Sequence, residues 1–421
     1  MGKYIKIIAC FCILLALASC TGIRNGNATN IDIKNMDASQ DYFVFISNKS
    51  SLFSTEKKYG YMNSKGEVII SPYFEYAEDF VDGMAKVKKG EGYGVLDKKG
   101  QYILQPIYSD CKLLGNGLIA YKTQRWRIKN TEGKEVGNLE FDDINSFSEG
   151  LAAVKVGNKW GFINADGELK IEPAYDFVGS FKNSLCDIKL NNRWGLIDNS
   201  GNEVVKPDFE DRLQVLDDYI LVRDKDGKWG YLNSKGEQVI EYVFKKAGNF
   251  SEGLAPVYAE GKWGYIDKQG NFAIEPAFDE AEKFLKGSAL VRKDGKAYFI
   301  DKDGMAVKEA DIYYTDIYDF CEQMAAVKVD GKYGFINENM ELAVEAEFDD
   351  YKDFSEGFAV VGKKISGSYD TVYGFVDKSG NWLVEPSFTN AESFKDGLAR
   401  VWKSGKMGYI DTKGNLVYKT W

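Results

Sequence analysis

The sequence contains no histidine among its 421 residues. That absence removes Ser–His–Asp and Cys–His nucleophile systems and every imidazole metal site, and with them most familiar hydrolase designs. It has no basic excess either. Lys and Arg number 54 against 64 Asp and Glu, a net charge of -10, which excludes the phosphate-binding surface a nucleic-acid partner requires. Beyond the N-terminus no apolar run is long enough for a transmembrane helix. No GxSxG, P-loop, dinucleotide or CxxC motif is present. Cysteine is sparse: after the first twenty residues only Cys111, Cys186 and Cys321 remain, at no recognisable spacing, so neither a disulfide framework nor a metal centre is expected. No cofactor is expected. What the sequence does have is 26 Tyr, 26 Phe and 43 Gly beside 7 Pro, a balance that favours many short strands joined by tight turns.

The first twenty residues, MGKYIKIIACFCILLALASC, read as an address. Lys3 and Lys6 precede an apolar stretch from Ile7 to Leu17 that is short for a membrane span. Leu17-Ala18-Ser19-Cys20 resembles the lipobox of bacterial lipoproteins, which implies cleavage after residue 19 and acyl chains on Cys20. More than one such chain makes a durable membrane anchor, at roughly 0.8 kcal/mol per buried methylene. Residues 20–41 then read as the lipidated cysteine and a polar, Asn-rich tether. With no Asp beside Cys20 and no acidic cluster after it, the expected location is the outer membrane, periplasmic side rather than cell surface.

Residues 42–421 are a repeat. KWGFINADG at 159–167, KWGYLNSKG at 228–236, KWGYIDKQG at 262–270 and KMGYIDTKG at 406–414 share one register. Its central residue recurs at Gly60, Gly94, Arg127, Gly161, Gly195, Gly230, Gly264, Tyr298, Gly334, Gly374 and Gly408. Eight of the ten spacings are 33, 34 or 35 residues, which marks a repeat architecture rather than several unrelated domains. The Trp/Tyr-Gly-aromatic-Ile-Asp/Asn core resembles the WG repeat (or KWG repeat) of bacterial proteins, with departures at Arg127 and Tyr298. That resemblance implies a β-rich repeat protein, often secreted or membrane-anchored. It brings no assigned activity.

Each position has a reading of its own. Three residues after the anchor every copy has Asp or Asn, and six after it all but one have Gly; the exception is Met340. Asx and Gly so placed predict a type I turn, and the free exchange of Asp with Asn argues against calcium. The residue before the anchor is aromatic in nine copies, and apolar residues on both faces predict a strand covered on both sides. The anchor Gly is expected to leave room for a neighbour's aromatic ring. Six prolines (Pro72, Pro106, Pro173, Pro207, Pro276 and Pro386) stand twelve residues after an anchor, where they are expected to end ladder pairing. Cys186 falls where other copies have Ala152, Ala255 or Ala399, so a buried thiol is expected there.

The fold class is therefore all-β: about eleven three-stranded antiparallel units. Propellers typically have about four to eight blades, and here the chain ends on whole units with none split between the termini. Both points favour an open superhelical array, with a closed β-propeller as the alternative.

Function is sought where the repeat is broken. Trp382, Trp402 and Trp421 lie outside the consensus aromatic position and form a candidate stacking platform. Arg125 and Arg127 flank Trp126 and form a candidate grip for an anionic group. Residues 363–370 lengthen one hairpin tip, and such loops can carry binding. Glu172, Glu241, Glu275, Glu345 and Glu385 share one repeat position, which reads as surface decoration more readily than as a glycosidase acid/base pair. The expected function is a non-catalytic, membrane-anchored scaffold for envelope proteins. The alternative is a glycan- or cell-wall-binding lipoprotein, and a carboxylate-dependent glycosidase comes last. Replacing Cys20 with serine is expected to abolish incorporation of labelled palmitate and to release the chain from the membrane fraction; unchanged labelling would refute the lipobox.

Overall fold

A computed structural model describes residues 34, 36–50, 55–216, 219–310 and 314–420. Cys20, the leader and most of the tether lie outside the described residues, as does Trp421. Every regular element among the described residues is a strand. The strands form eleven antiparallel sheets, nine of four strands and two of three. We number these blades 1 to 11 in chain order: 42–74, 76–108, 110–130, 143–175, 177–209, 214–244, 246–278, 280–309, 314–348, 350–388 and 390–419.

Blade 4 shows how the sequence makes a sheet. Leu151–Val156 pairs with Lys159–Ile163, Val154 facing Gly161. Two residues with positive φ, Glu149 and Gly150 (48° and 82°), turn the chain into that hairpin from the strand Asp143–Ser148, the backbone a type I′ turn needs. Asn164 closes the next turn as its position predicts: its side-chain oxygen accepts the backbone N–H groups of Asp166 and Glu168, at 3.1 and 2.9 Å. Leu169–Tyr175 then returns along the anchor strand.

Three sequence expectations change here. Most blades carry a fourth, short strand, often two residues such as Phe177–Val178, which is too brief to leave a period-two signal. The space beside most anchor glycines is filled by backbone of the same sheet, and a neighbouring strand's ring reaches it at Gly60 (Phe45) and Gly230 (Tyr242). Trp160 faces Tyr175 and Phe162 faces Ile171, so Glu172, Pro173 and Ala174 bulge opposite Gly161 alone. A Cβ on Gly161 would lie 2.4 Å from the Ile171 carbonyl oxygen. The proline therefore sits inside this bulge, where it forfeits no ladder bond, and the strand continues past it to the aromatic. The exceptions agree. Tyr298 faces Glu309 in regular register without a bulge at that point. Opposite Arg127 the partner strand is reduced to bridges: Phe141 pairs with Trp126, and Val136 donates to Ile128.

The array is a closed eleven-bladed propeller, not an open superhelix. Each core cluster joins two successive blades, as where Phe162 and Ile171 of blade 4 meet Phe181, Cys186 and Ile197 of blade 5. An open stack of eleven sheets has ten such interfaces; this chain has eleven. The eleventh brings Leu398, Met407 and Tyr409 of blade 11 onto Phe43, Phe45 and Met62 of blade 1. The buried tyrosine after the anchor ties each such blade to the next: Tyr231 donates to the Gly248 carbonyl (2.6 Å) and Tyr265 to that of Glu282 (2.7 Å). Tyr409 repeats the bond across the seam, to Val44 at 2.9 Å. Arg400, only 16% exposed, adds an ion pair with Asp79, which reaches the seam from blade 2 and also accepts the Val44 N–H. Whole units at both ends misled the sequence reading, because side chains and not a shared sheet close the ring. The described end of the tether also docks: Lys34 donates to the Ile69 carbonyl (3.0 Å), and Met36 packs on the cluster between blades 1 and 2.

If the bulge demands glycine, Gly264→Ala must push its Cβ to within 2.6 Å of the Ile274 carbonyl oxygen. An overpacking loss of about 1–3 kcal/mol in unfolding free energy is expected by denaturant titration. An unchanged midpoint would show that the strand can shift at no cost.

Candidate functional site

The residues singled out from sequence do not converge. Trp382 lies in blade 10, Trp402 in blade 11, and Arg125 and Arg127 in and beside blade 3. The Trp382 ring meets Phe348 edge to face at 5.8 Å, and Lys363, at the base of the lengthened hairpin, lies 5.4 Å above it. Trp402 packs into the seam cluster between blades 11 and 1. Arg125 grips Asp142 with two hydrogen bonds, at 3.0 and 2.6 Å. It is thus an ordinary member of a repeated bridge. Lys159 meets Asp176 and Lys332 meets Asp349 in the same way, both at 2.6 Å. Arg127 stands between Glu135 and Glu140, 3.9 Å from each. The hairpin of residues 363–370 carries fully exposed Tyr369 at its tip. Glu172, Glu241, Glu275, Glu345 and Glu385 are all exposed, one per blade.

The turn carboxylates follow a grammar that the sequence displays but that single positions do not reveal. Where the turn begins with Asn, the residue four later is Glu in four blades, and the two side chains bond: Asn63–Glu67, Asn164–Glu168, Asn233–Glu237 and Asn337–Glu341. Where it begins with Asp, the partner is Asn in four others: Asp198–Asn202, Asp267–Asn271, Asp377–Asn381 and Asp411–Asn415. Donor faces acceptor in both forms, which explains the free exchange of Asp with Asn. Burial alone would raise the Asp267 carboxyl; the Asn271 amides and neighbouring backbone N–H groups outweigh it and hold it below its ordinary value. Asp411 is lowered in the same manner.

Cys111 and Cys186 are buried and free, and burial pushes both thiols up to about 12, where thiolate chemistry is absent at neutral pH. Cys321 is free and half-buried.

The junction between blades 5 and 6 departs from the repeat. Elsewhere a short strand follows the closing aromatic almost at once, as Lys246–Ala247 follows Phe244. After Phe209 the chain reads EDRLQVL instead, and pairing resumes only at Gln214–Leu216. Residues 210–213 therefore leave the sheet, and two clefts open beside them. One, of about 480 Å³, has Phe209 and Tyr242 on its wall, both half-buried. Arg193 bonds Glu210 there at 2.9 Å, and Arg223 bonds Asp211 at 2.7 Å. The other, of about 430 Å³, is bordered by Lys182, Asp187 and Arg212. Arg212 lies over the Phe177 and Trp194 rings, at 5.2 and 5.5 Å, and its bond to Asp187 holds the guanidinium above its ordinary value. None of these residues stood out in the sequence by type. The short strand is too brief for its displacement here to show in the sequence.

A sequence profile described as "WG containing repeat" matches ten successive segments: 59–93, 93–124, 126–160, 160–194, 194–229, 229–263, 263–296, 299–333, 333–364 and 373–406. Among curated proteins no relative matches the chain. Distant likenesses exist among solved structures. A eukaryotic initiation factor aligns at 12% identity over 82% of this chain and 95% of its own, with a TM-score of 0.42. BamB from Moraxella catarrhalis aligns at 13% identity over 68% and 92%, with a TM-score of 0.32. The extracellular domain of a putative one component system from B. thetaiotaomicron aligns at 10% identity over 93% and 73%, with a TM-score of 0.23.

Two outcomes test the turn grammar. Asn271→Glu alone sets two carboxylates face to face and is expected to cost about 0.2–1 kcal/mol at pH 7. Adding Asp267→Asn recreates the pair seen at Asn233–Glu237 and should recover most of that loss. Carboxyls lowered in the folded chain give stability that is fully present above their unfolded value, 3.8 for Asp, and that is lost as pH falls through the lower folded value. Thermal midpoints should hold from pH 7 to about 5 and fall below about 4.

Proposed function

We propose, for a chain that belongs to the family of WG-containing repeat proteins, a non-catalytic role as an interaction scaffold in the bacterial cell envelope. The observation that carries this reading is the division of labour within a blade. Consensus residues are used in building the sheets and joining them: the ring after the anchor is buried, the anchor Gly is sealed by its own sheet's bulge in eight blades, and the basic residue before the aromatic holds a carboxylate. The last strand is an edge in its sheet and turns part of its side chains to water. Several of these strands expose apolar side chains, among them Ile107, Val239, Val243 and Val307. Edge strands with exposed apolar residues suit partner proteins that pair with or pack against them.

The anchor completes the proposal. Lipid on Cys20 would hold the ring at the outer membrane, facing the periplasm, on a tether whose far end docks on blade 1. The glycan reading based on Trp382 and Trp402 has less support, since both rings are engaged in packing. The glycosidase reading has least: its glutamates are spread one per blade and open to water.

The test is capture from the envelope of the producing cell by the full-length chain, with cross-links mapped by mass spectrometry. Specific proteins cross-linked to several blades, and retained equally by Trp382→Ala, are the expected result. Retention of wall glycan alone, lost in that variant, would replace the scaffold with a binding lipoprotein.

A further inference from the structure

We propose that the 480 Å³ cleft between blades 5 and 6 is a binding site for a neutral saccharide. A sugar ring offers two kinds of surface at once: apolar C–H faces, and a rim of hydroxyls that each donate and accept. A site for it needs an aromatic wall together with side chains that supply fixed donors and acceptors side by side.

The cleft has both. Phe209 and Tyr242 are half-buried and pack, with Trp194, on the cluster between the two blades, so their rings are held rather than free to turn. On the rim stand the pairs Arg193–Glu210 (2.9 Å) and Arg223–Asp211 (2.7 Å). A guanidinium has five N–H groups in a fixed plane and a carboxylate has two acceptor oxygens, so each pair keeps donors and acceptors to spare. Arg223 is fixed further by lying over the Trp229 ring, 5.7 Å from its centre. The volume falls within the range of about 300–1,000 Å³ common to small-molecule sites.

Charge selects the class of ligand. With Lys225, Asp208 and Asp224 also on the wall, three cations face four carboxylates. A phosphate or uronate would meet no positive excess, and a cation would meet the arginines; an uncharged polyol meets neither penalty. The repeat itself sets the site apart. At the positions of Arg193 and Glu210, blades 4, 7 and 9 have lysine pairs, Lys159–Asp176, Lys262–Asp279 and Lys332–Asp349, and blade 3 has Arg125–Asp142 without a second hydrogen-bonded arginine pair beside it. Arginine, with its planar fork, stands here at both pairs, beside the segment 210–213 that has left the sheet. This site is independent of the scaffold reading: it involves neither the exposed apolar edge residues nor the anchor.

The experiment is calorimetric titration of the full-length chain with neutral tetrasaccharides of glucose, galactose, mannose and N-acetylglucosamine, and with tetragalacturonate. At least one neutral tetrasaccharide is expected to bind, with a Kd weakened tenfold or more in Arg223→Met and in Asp211→Asn. Lys262→Met, at the consensus pair of blade 7, should bind as the parent does. Thermal unfolding of each variant reports its fold, and Asp211→Asn keeps the test alive should Arg223→Met fold poorly. Absence of binding across the neutral panel overturns the proposal. So does binding that neither cleft variant weakens, or tighter binding of tetragalacturonate than of any neutral sugar.

Discussion

Apolar residues on both faces of every sheet are the constraint from which the rest follows. A sheet so built has no core of its own: Phe162 and Ile171 on one side of blade 4 require blade 5, while Ala152, Val154 and Ile163 on the other require blade 3. Stacking satisfies all interior blades equally well in an open or a closed array. The two ends decide between them. In an open array Phe43, Phe45 and Met62 would face water on one end and Leu398, Met407 and Tyr409 on the other. Burying a large apolar side chain is worth roughly 1.5–3 kcal/mol, so closure recovers several such terms by bringing the two faces together. Arg400 and Asp79 then give the seam an ion pair of its own beside the usual tyrosine bond.

Much of this was legible along the chain. Period, anchor, Asx turn and the burial of Cys186 could each be read from residue type at fixed spacing, because local backbone chemistry dictates them. The bulge was misread because its two partners, a bare glycine and a proline twelve residues later, explain each other only once the strands are paired. The short first strand was too brief to show a period. Closure depends on the accumulated angle between eleven sheets, and no window of sequence encodes an angle.

The candidate residues show the same divide. Arg125 looked like a departure because arginine stood where lysine is usual, yet its partner Asp142 restores the rule. Trp382 and Trp402 looked unoccupied because their neighbours, Phe348 and the seam, are distant in sequence or belong to another blade. Conversely, EDRL after Phe209 contains no unusual residue type. Its meaning lies in the strand it fails to form.

A ring closed by side chains alone has a consequence for how such proteins change size. In a propeller whose last sheet is woven from both chain ends, adding or removing a repeat must preserve that splice. Here each period begins and ends on a complete sheet, and the seam uses the same kind of contact as other joints. Duplication or loss of one period within the gene would therefore lengthen or shorten the circumference by one blade, with the altered curvature shared among all the joints. The blade count is then a quantity that unequal recombination can tune.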